Sequence, residues 1–122
     1  MRIGIVSDIH CDAEALRRAL EEMQPVDRVL CAGDMVLQYR FSNEVMEIIQ
    51  ERGITAVRGN HDVAVLSSAG AALRASGSIR PQNLGFLESL SNVVEMDIEG
   101  KRIVMMHTSP LDPTGGGRDI RY

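Results

Sequence analysis

The chain contains no tryptophan and only two tyrosines and two phenylalanines. So few rings leave little for stacking exposed bases, and a formal net charge of -4 provides no basic footprint, so unspecific nucleic-acid binding is not expected. Lysine is nearly absent as well: Lys101 stands alone among twelve arginines. It follows Glu99-Gly100 in a candidate hairpin turn and belongs to no G-x-x-x-x-G-K motif, which argues against Schiff-base and P-loop chemistry. Two cysteines, Cys11 and Cys31, form no C-x-x-C pair and read as reduced packing thiols. No apolar run approaches the roughly 20 residues of a membrane span, and Asp8 interrupts the first apolar run too early for a secretory signal. A cytoplasmic protein without membrane contact is the expectation.

What is present is an alternation of short apolar runs and amphipathic segments. At 122 residues the length fits one domain, which should bury roughly two thirds of its unfolded surface. Ile3-Gly4-Ile5-Val6 reads as a buried strand closed by Ser7-Asp8-Ile9-His10. Asp12 can cap a helix with Leu16, Leu20 and Met23 on one face, ended near Pro25. A second strand is expected over 26–32, stopping at Gly33-Asp34. Ser42 can cap a second helix with Val45, Ile48 and Ile49 inward, closed by Gly53. A third strand over 54–57 opens onto Arg58-Gly59-Asn60-His61-Asp62. Residues 63–78 suggest a weak helix loosened by Gly70. Pro81 starts a short helix with Leu84, Leu87 and Leu90 inward. Residues 93–98 and 102–106 read as a hairpin that delivers His107. The run Gly115, Gly116 and Gly117 follows no strand and reads as a flexible loop.

Asp8, Asp34 and Asn60 lie 26 residues apart, the span of one strand, one helix and their loops. A βαβαβ unit brings all three to the carboxyl edge of one parallel sheet, where α/β proteins bind ligands. With strands about 4.8 Å apart, the three ends fall within roughly 10 Å. All three histidines, His10, His61 and His107, stand at or just beyond strand ends. Any one alone is more often a hydrogen-bonded structural histidine than a ligand. Together, Asp8, His10, Asp34, Asn60 and His107 offer the oxygen and nitrogen donors that manganese, iron, zinc or nickel accept. A carboxylate among them can bridge two metals roughly 3.5 to 4 Å apart, an arrangement suited to in-line phosphoryl displacement and therefore to phosphoester substrates.

The ordered motifs Asp8-Ile9-His10, Gly33-Asp34 and Gly59-Asn60-His61-Asp62, with the later His107, resemble those of the calcineurin-like metallophosphoesterases. The resemblance implies an α/β fold of the αββα-sandwich type. It implies two divalent metal ions, manganese foremost, with Asp8 and His10 at one site, Asp34 as the bridge, and Asn60 and His107 at the other. It also implies that His61 contacts the phosphate and protonates the leaving group. Arg58 is a candidate phosphate clamp or a surface ion pair, Asp62 either orients His61 or caps the next helix, and Cys11 fills a small space.

Two departures shape the expectation. Gly33-Asp34-Met35-Val36-Leu37 lacks the V-D-R-G continuation of the protein-phosphatase branch and looks closer to small bacterial and archaeal phosphodiesterases, which often take manganese or nickel. No G-H-x-H motif follows in the 15 residues after His107. By the resemblance each metal then lacks one histidine, which should weaken binding at least 10 to 100-fold. The second sheet should be C-terminally incomplete, by truncation or because another chain covers it, and a homo-oligomer is one way to cover it. The reading is a phosphodiesterase or phosphomonoesterase. The alternative is a degenerate binding or regulatory subunit of the same fold. A phosphorylation receiver domain is disfavoured, because the third strand ends in Asn60 and the only lysine lies in a turn.

Overall fold

The computed structural model describes residues 1–108. The glycine run at 115–117 lies outside them. Three short parallel strands, β1 (Ile3–Val6), β2 (Arg28–Cys31) and β3 (Thr55–Ala56), form a sheet in that order, with Ile3 opposite Arg28 and Cys31 opposite Ala56. β2 and β3 are shorter than expected, although Ala32 N–H still donates to Val6 O (2.9 Å) and Val57 N–H to Cys31 O (3.1 Å) just beyond their ends.

The crossover helices form where caps and spacing call for them. Asp12 Oδ1 accepts from Ala15 N–H at 3.0 Å to start α1 (Ala13–Glu22), which buries Leu16 and Leu20. Ser42 Oγ accepts from Val45 N–H at 3.1 Å to start α2 (Asn43–Glu51), which buries Val45, Met46, Ile48 and Ile49. Gly53, at φ +62°, follows its last turn. The weak segment at 63–78 is not one helix. It is α3 (Asn60–Leu66), a 3-10 turn (Ser68–Gly70) and α4 (Ala71–Ala75), with α3 beginning ahead of the expected start. α5 (Pro81–Ser89) buries Leu87 as expected, but its other buried residue is Asn83.

β4 (Val93–Ile98) and β5 (Lys101–Met106) pair antiparallel around a two-residue turn, with Glu99 at φ 50° and Gly100 at φ 79°. Two consecutive positive φ values match the hairpin twist of a type I′ turn. Lys101 opens β5 one residue earlier than expected.

Side-chain alternation splits the core across the parallel sheet. Cys31 and Ala56 pack under the helices with Leu16, Leu20, Val45, Ile49, Val65 and Leu87. Their neighbours Leu30 and Val57 face the other way and pack on Met105 of β5. The hairpin thus lies on the sheet face opposite the helices, the layering of part of an αββα sandwich, and this fixes where β5 ends. No helix of the described residues is long and apolar enough to cross a membrane.

Candidate metal centre

The loop after β1 zips onto the loop after β2. Asp8 N–H donates to Gly33 O (2.9 Å), His10 N–H to Asp34 O (3.1 Å) and Cys11 N–H to Met35 O (2.9 Å). To make these bonds, Asp8, His10, Cys11 and Asp34 all adopt left-handed φ values between 50° and 67°. Such conformations cost on the order of 1 kcal/mol or more each for non-glycine residues and cluster at functional sites. The outcome is that Asp8, His10 and Asp34 turn toward one point.

Two glycines let a third loop approach. A Cβ on Gly33, at φ +100°, would lie 2.7 Å from Gly59 N and 3.0 Å from His107 Cβ. A Cβ on Gly59 would lie 2.2 Å from Asp34 Oδ1. Asp62, fully buried, clamps the same loops: its carboxylate accepts from Asp34 N–H (2.8 Å), Val36 N–H (3.0 Å) and Gly59 N–H (2.8 Å). Burial pushes its pKa up, against the pull of these donors. Asp62 is therefore the cap at the start of α3, and His61 is oriented by another group.

Asp34, 3 % exposed, is the hub. Its Oδ1 accepts from His61 N–H at 2.9 Å, and its Oδ2 lies 3.3 Å from both His10 Nε2 and His107 Nε2. His10 Nε2 is also 3.6 Å from Asp8 Oδ1, whose other oxygen accepts from Ser7 Oγ–H at 2.5 Å. His107 Nδ1–H donates to Ala32 O at 2.9 Å, so a neutral imidazole presents the bare lone pair of Nε2 to Asp34. The Asn60 amide oxygen faces only acceptors, 3.3 and 3.2 Å from the Asp34 oxygens and 3.1 Å from His107 Nε2; turned by 180°, its nitrogen would donate at those distances. Lone pairs from Asp34, Asn60 and His107 thus converge with no proton between them, an arrangement that a cation stabilises. The donor set of oxygens and imidazoles fits divalent metal ions.

Two groups of potential ligand atoms lie within 4.8 Å of one another: Asp8, Asp34 and His107, and His10, Asp34 and His61. Asp34 belongs to both. The grouping differs from the expected one: Asp8 and His10, expected at one site, fall in different groups, with His107 beside Asp8 and His61 beside His10, but the tautomer separates the role of His61 from ligation. Gln38 N–H donates to His61 Nδ1 at 3.1 Å, so the neutral ring carries its proton on Nε2 and has no lone pair there for a metal. The rings of His10 and His61 meet edge to face at 5.3 Å.

Arg58 is placed away from the cluster's ligand atoms. It has no ion-pair partner among the described residues, and its buried Nε has no hydrogen-bond partner. It lines a cleft of about 360 Å³ with Leu66, Arg74, Leu84 and Glu88, none of them a member of the cluster. Cys11 does fill space: it is half-buried, its Sγ–H donates to Arg40 O at 3.5 Å, and burial raises its pKa. Sequence reasoning missed Gln38 and Ala32, which act through backbone groups and leave no side-chain signal. The glycines of the G-D and G-N-H-D motifs were the available clue to the close loop approach.

A family model described as the calcineurin-like phosphoesterase superfamily domain matches residues 1–120. An uncharacterised protein of Methanocaldococcus jannaschii is 33 % identical over 123 residues, covering 91 % of this chain and 51 % of that protein. A solved metallophosphoesterase of Sphaerobacter thermophilus is 31 % identical with a TM-score of 0.65, over 80 % of this chain and 43 % of that one. Another structure, provisionally described as a diadenosine tetraphosphatase, is 30 % identical with a TM-score of 0.57, over 75 % of this chain and 44 % of that one. The chain spans about half the length of the curated relative it matches.

Proposed function

This chain belongs to the calcineurin-like phosphoesterase superfamily, and on that premise we propose that it hydrolyses phosphodiester bonds with two divalent cations, manganese foremost, held by Asp8, His10, Asp34, Asn60 and His107. The observation that carries the reading is the placement of Asp34 Oδ2 midway between two imidazole nitrogens from different loops, 3.3 Å from each. A carboxylate so placed can serve two cations at once. Bound cations supply the positive charge that offsets the negative charge developing on phosphoryl oxygens.

The chain's own groups do the rest. His107 is held with its Nε2 lone pair inward by Ala32 O. His61, held at Nδ1 by Gln38 N–H, carries the proton of its neutral ring on Nε2, the state required to protonate a leaving oxygen. Asp62 fixes the backbone at both Asp34 and Gly59. The free thiols of Cys11 and Cys31 support a reducing, cytoplasmic setting.

The test is turnover of bis(p-nitrophenyl) phosphate with Mn²⁺. His61→Ala should lower kcat by roughly 10² to 10⁴, while Mn²⁺ affinity by electron paramagnetic resonance changes little. Asp34→Asn should lose Mn²⁺ affinity itself. Absent Mn²⁺-dependent turnover overturns the hydrolase reading in favour of a non-catalytic binding subunit, and turnover that persists undiminished in His61→Ala overturns the proton-donor role of His61.

A further inference from the structure

Arg58 immediately precedes Gly59, and its backbone N–H donates to Ser91 O at 3.0 Å, just past the end of α5. Its side chain lines a cleft of about 360 Å³ with Leu66 of α3, Arg74 of α4, and Leu84 and Glu88 of α5. The Nε of Arg58 is enclosed and has no hydrogen-bond partner among the described residues. Such a donor costs free energy until an acceptor reaches it, and more so in a charged group. Arg74 is anchored by one nitrogen: its Nη1 donates to Val65 O and Ser67 O at the end of α3, which leaves the other two nitrogens for a further acceptor. Glu88 shares the cleft, yet among the described residues it pairs with neither arginine.

We infer that this cleft binds a small organic monoanion, a carboxylate carrying a short apolar chain. Two guanidiniums against one carboxylate leave the lining with one net positive charge, which a single carboxylate neutralises. A guanidinium fork takes a carboxylate through parallel N–H donors, so the enclosed Nε of Arg58 gains its acceptor from the ligand. Leu66 and Leu84, half-buried against the helical core, supply apolar surface for the chain behind the carboxylate. Glu88, exposed on α5, opposes a second negative charge and so disfavours a phosphate dianion. None of these five residues offers a ligand atom to the metal centre, so the cleft stands apart from the hydrolase reading.

The Arg58 Nε–H proton reports on the cleft directly in ¹H–¹⁵N spectra of the full chain with diamagnetic Mg²⁺, its signal assigned by its loss in Arg58→Lys. Butyrate at pH 7 should shift it downfield and saturate, the mark of a new charge-assisted hydrogen bond. Butyramide, with the same chain and no charge, should leave it in place. Acetate should bind about fivefold more weakly than butyrate, having lost two methylenes, and inorganic phosphate about tenfold more weakly. Glu88→Gln should remove the handicap of phosphate. Arg74→Lys, which keeps the charge without the fork, should weaken butyrate about tenfold. The response should persist in Asp34→Asn, which separates the cleft from the metal centre. No shift with butyrate, an equal shift with butyramide, or acetate or phosphate binding as tightly as butyrate overturns the assignment. So does a response lost in Asp34→Asn, which would place butyrate on the metal, or a butyrate affinity unchanged in Arg74→Lys.

Discussion

Gly59 has no room for a side chain, since a Cβ there would sit 2.2 Å from Asp34 Oδ1 and 2.5 Å from Asp34 N. Gly59→Ala must displace the carboxylate that both imidazoles face. Because orienting groups around a metal site are worth 10 to 100-fold in affinity, we expect at least a tenfold loss of Mn²⁺ binding by isothermal titration, with far-ultraviolet dichroism unchanged. Affinity retained within twofold would show that the loop yields without moving Asp34. Cys31 gives a second expectation at this scale. Burial pushes its thiol up to about 12, so almost no thiolate is present at pH 8. Ellman's reagent should therefore spare Cys31 in the native protein and react with it only in denaturant. Rapid native labelling of Cys31 would mean that the β2 region opens readily.

Between α2 and α5 lies a polar joint. Asn83, fully buried, donates from Nδ2 to Asn43 Oδ1 (3.0 Å) and Glu47 Oε2 (2.9 Å) and accepts from Gln50 Nε2 (3.0 Å). Arg80 pairs with the same Glu47 oxygen at 2.5 Å. The Asn83 amide and then the Arg80 guanidinium hold the Glu47 carboxyl below its ordinary range. A depressed carboxyl stabilises the fold above its unfolded pKa, near 4.3, and that contribution fades as pH falls through the lower folded value. Thermal melts of Glu47→Gln should thus lie below the unsubstituted protein at pH 7 and converge with it below about pH 4. A constant offset across this range would assign the joint to packing and leave charge out of it.

The same joint marks the limit of what could be read from the sequence. α1 and α2 were legible because caps and apolar spacing are local, and the hairpin because Glu99-Gly100 demands one turn type. The site was legible because the 26-residue spacing of Asp8, Asp34 and Asn60 is itself the parallel topology. Asn83 was not, since its partners lie on α2, up to 40 residues away. Gly70 was legible as a weak point, but not the reason for it: a Cβ there would meet Val65 O at 2.1 Å, so the glycine lets the chain fold back onto α3, a contact invisible to periodicity. The cleft beside Arg58 was not legible for the same reason, because its lining comes from α3, α4 and α5 rather than from its own loop.

At the scale of the molecule, helices and hairpin sandwich a three-stranded sheet whose outer strands, β1 and β3, each pair on one side only among the described residues. Among the described residues β1 pairs only with β2, and Ile5, in register with Leu30, is 65 % exposed. Val104 on β5 is 48 % exposed. Parallel strands are ordinarily covered on both faces, and an open apolar edge invites another strand. Among the described residues no strand pairs with the outer side of β1. We therefore expect association of a second copy along β1. In static light scattering the apparent mass should rise above 13.4 kDa with concentration, and the melting temperature should rise with it, because association stabilises only the folded state. Ile5→Lys places a charge on the edge, the device natural sheets use against pairing; it should restore the monomer mass and remove the concentration dependence. Mn²⁺ separates this edge from the metal centre. Binding at Asp34 should raise the melting temperature of Ile5→Lys as much as that of the unsubstituted chain, whereas Asp34→Asn should lose the metal response and keep the association. If Ile5→Lys abolished both, edge and site would be one unit, with the second copy completing the metal centre.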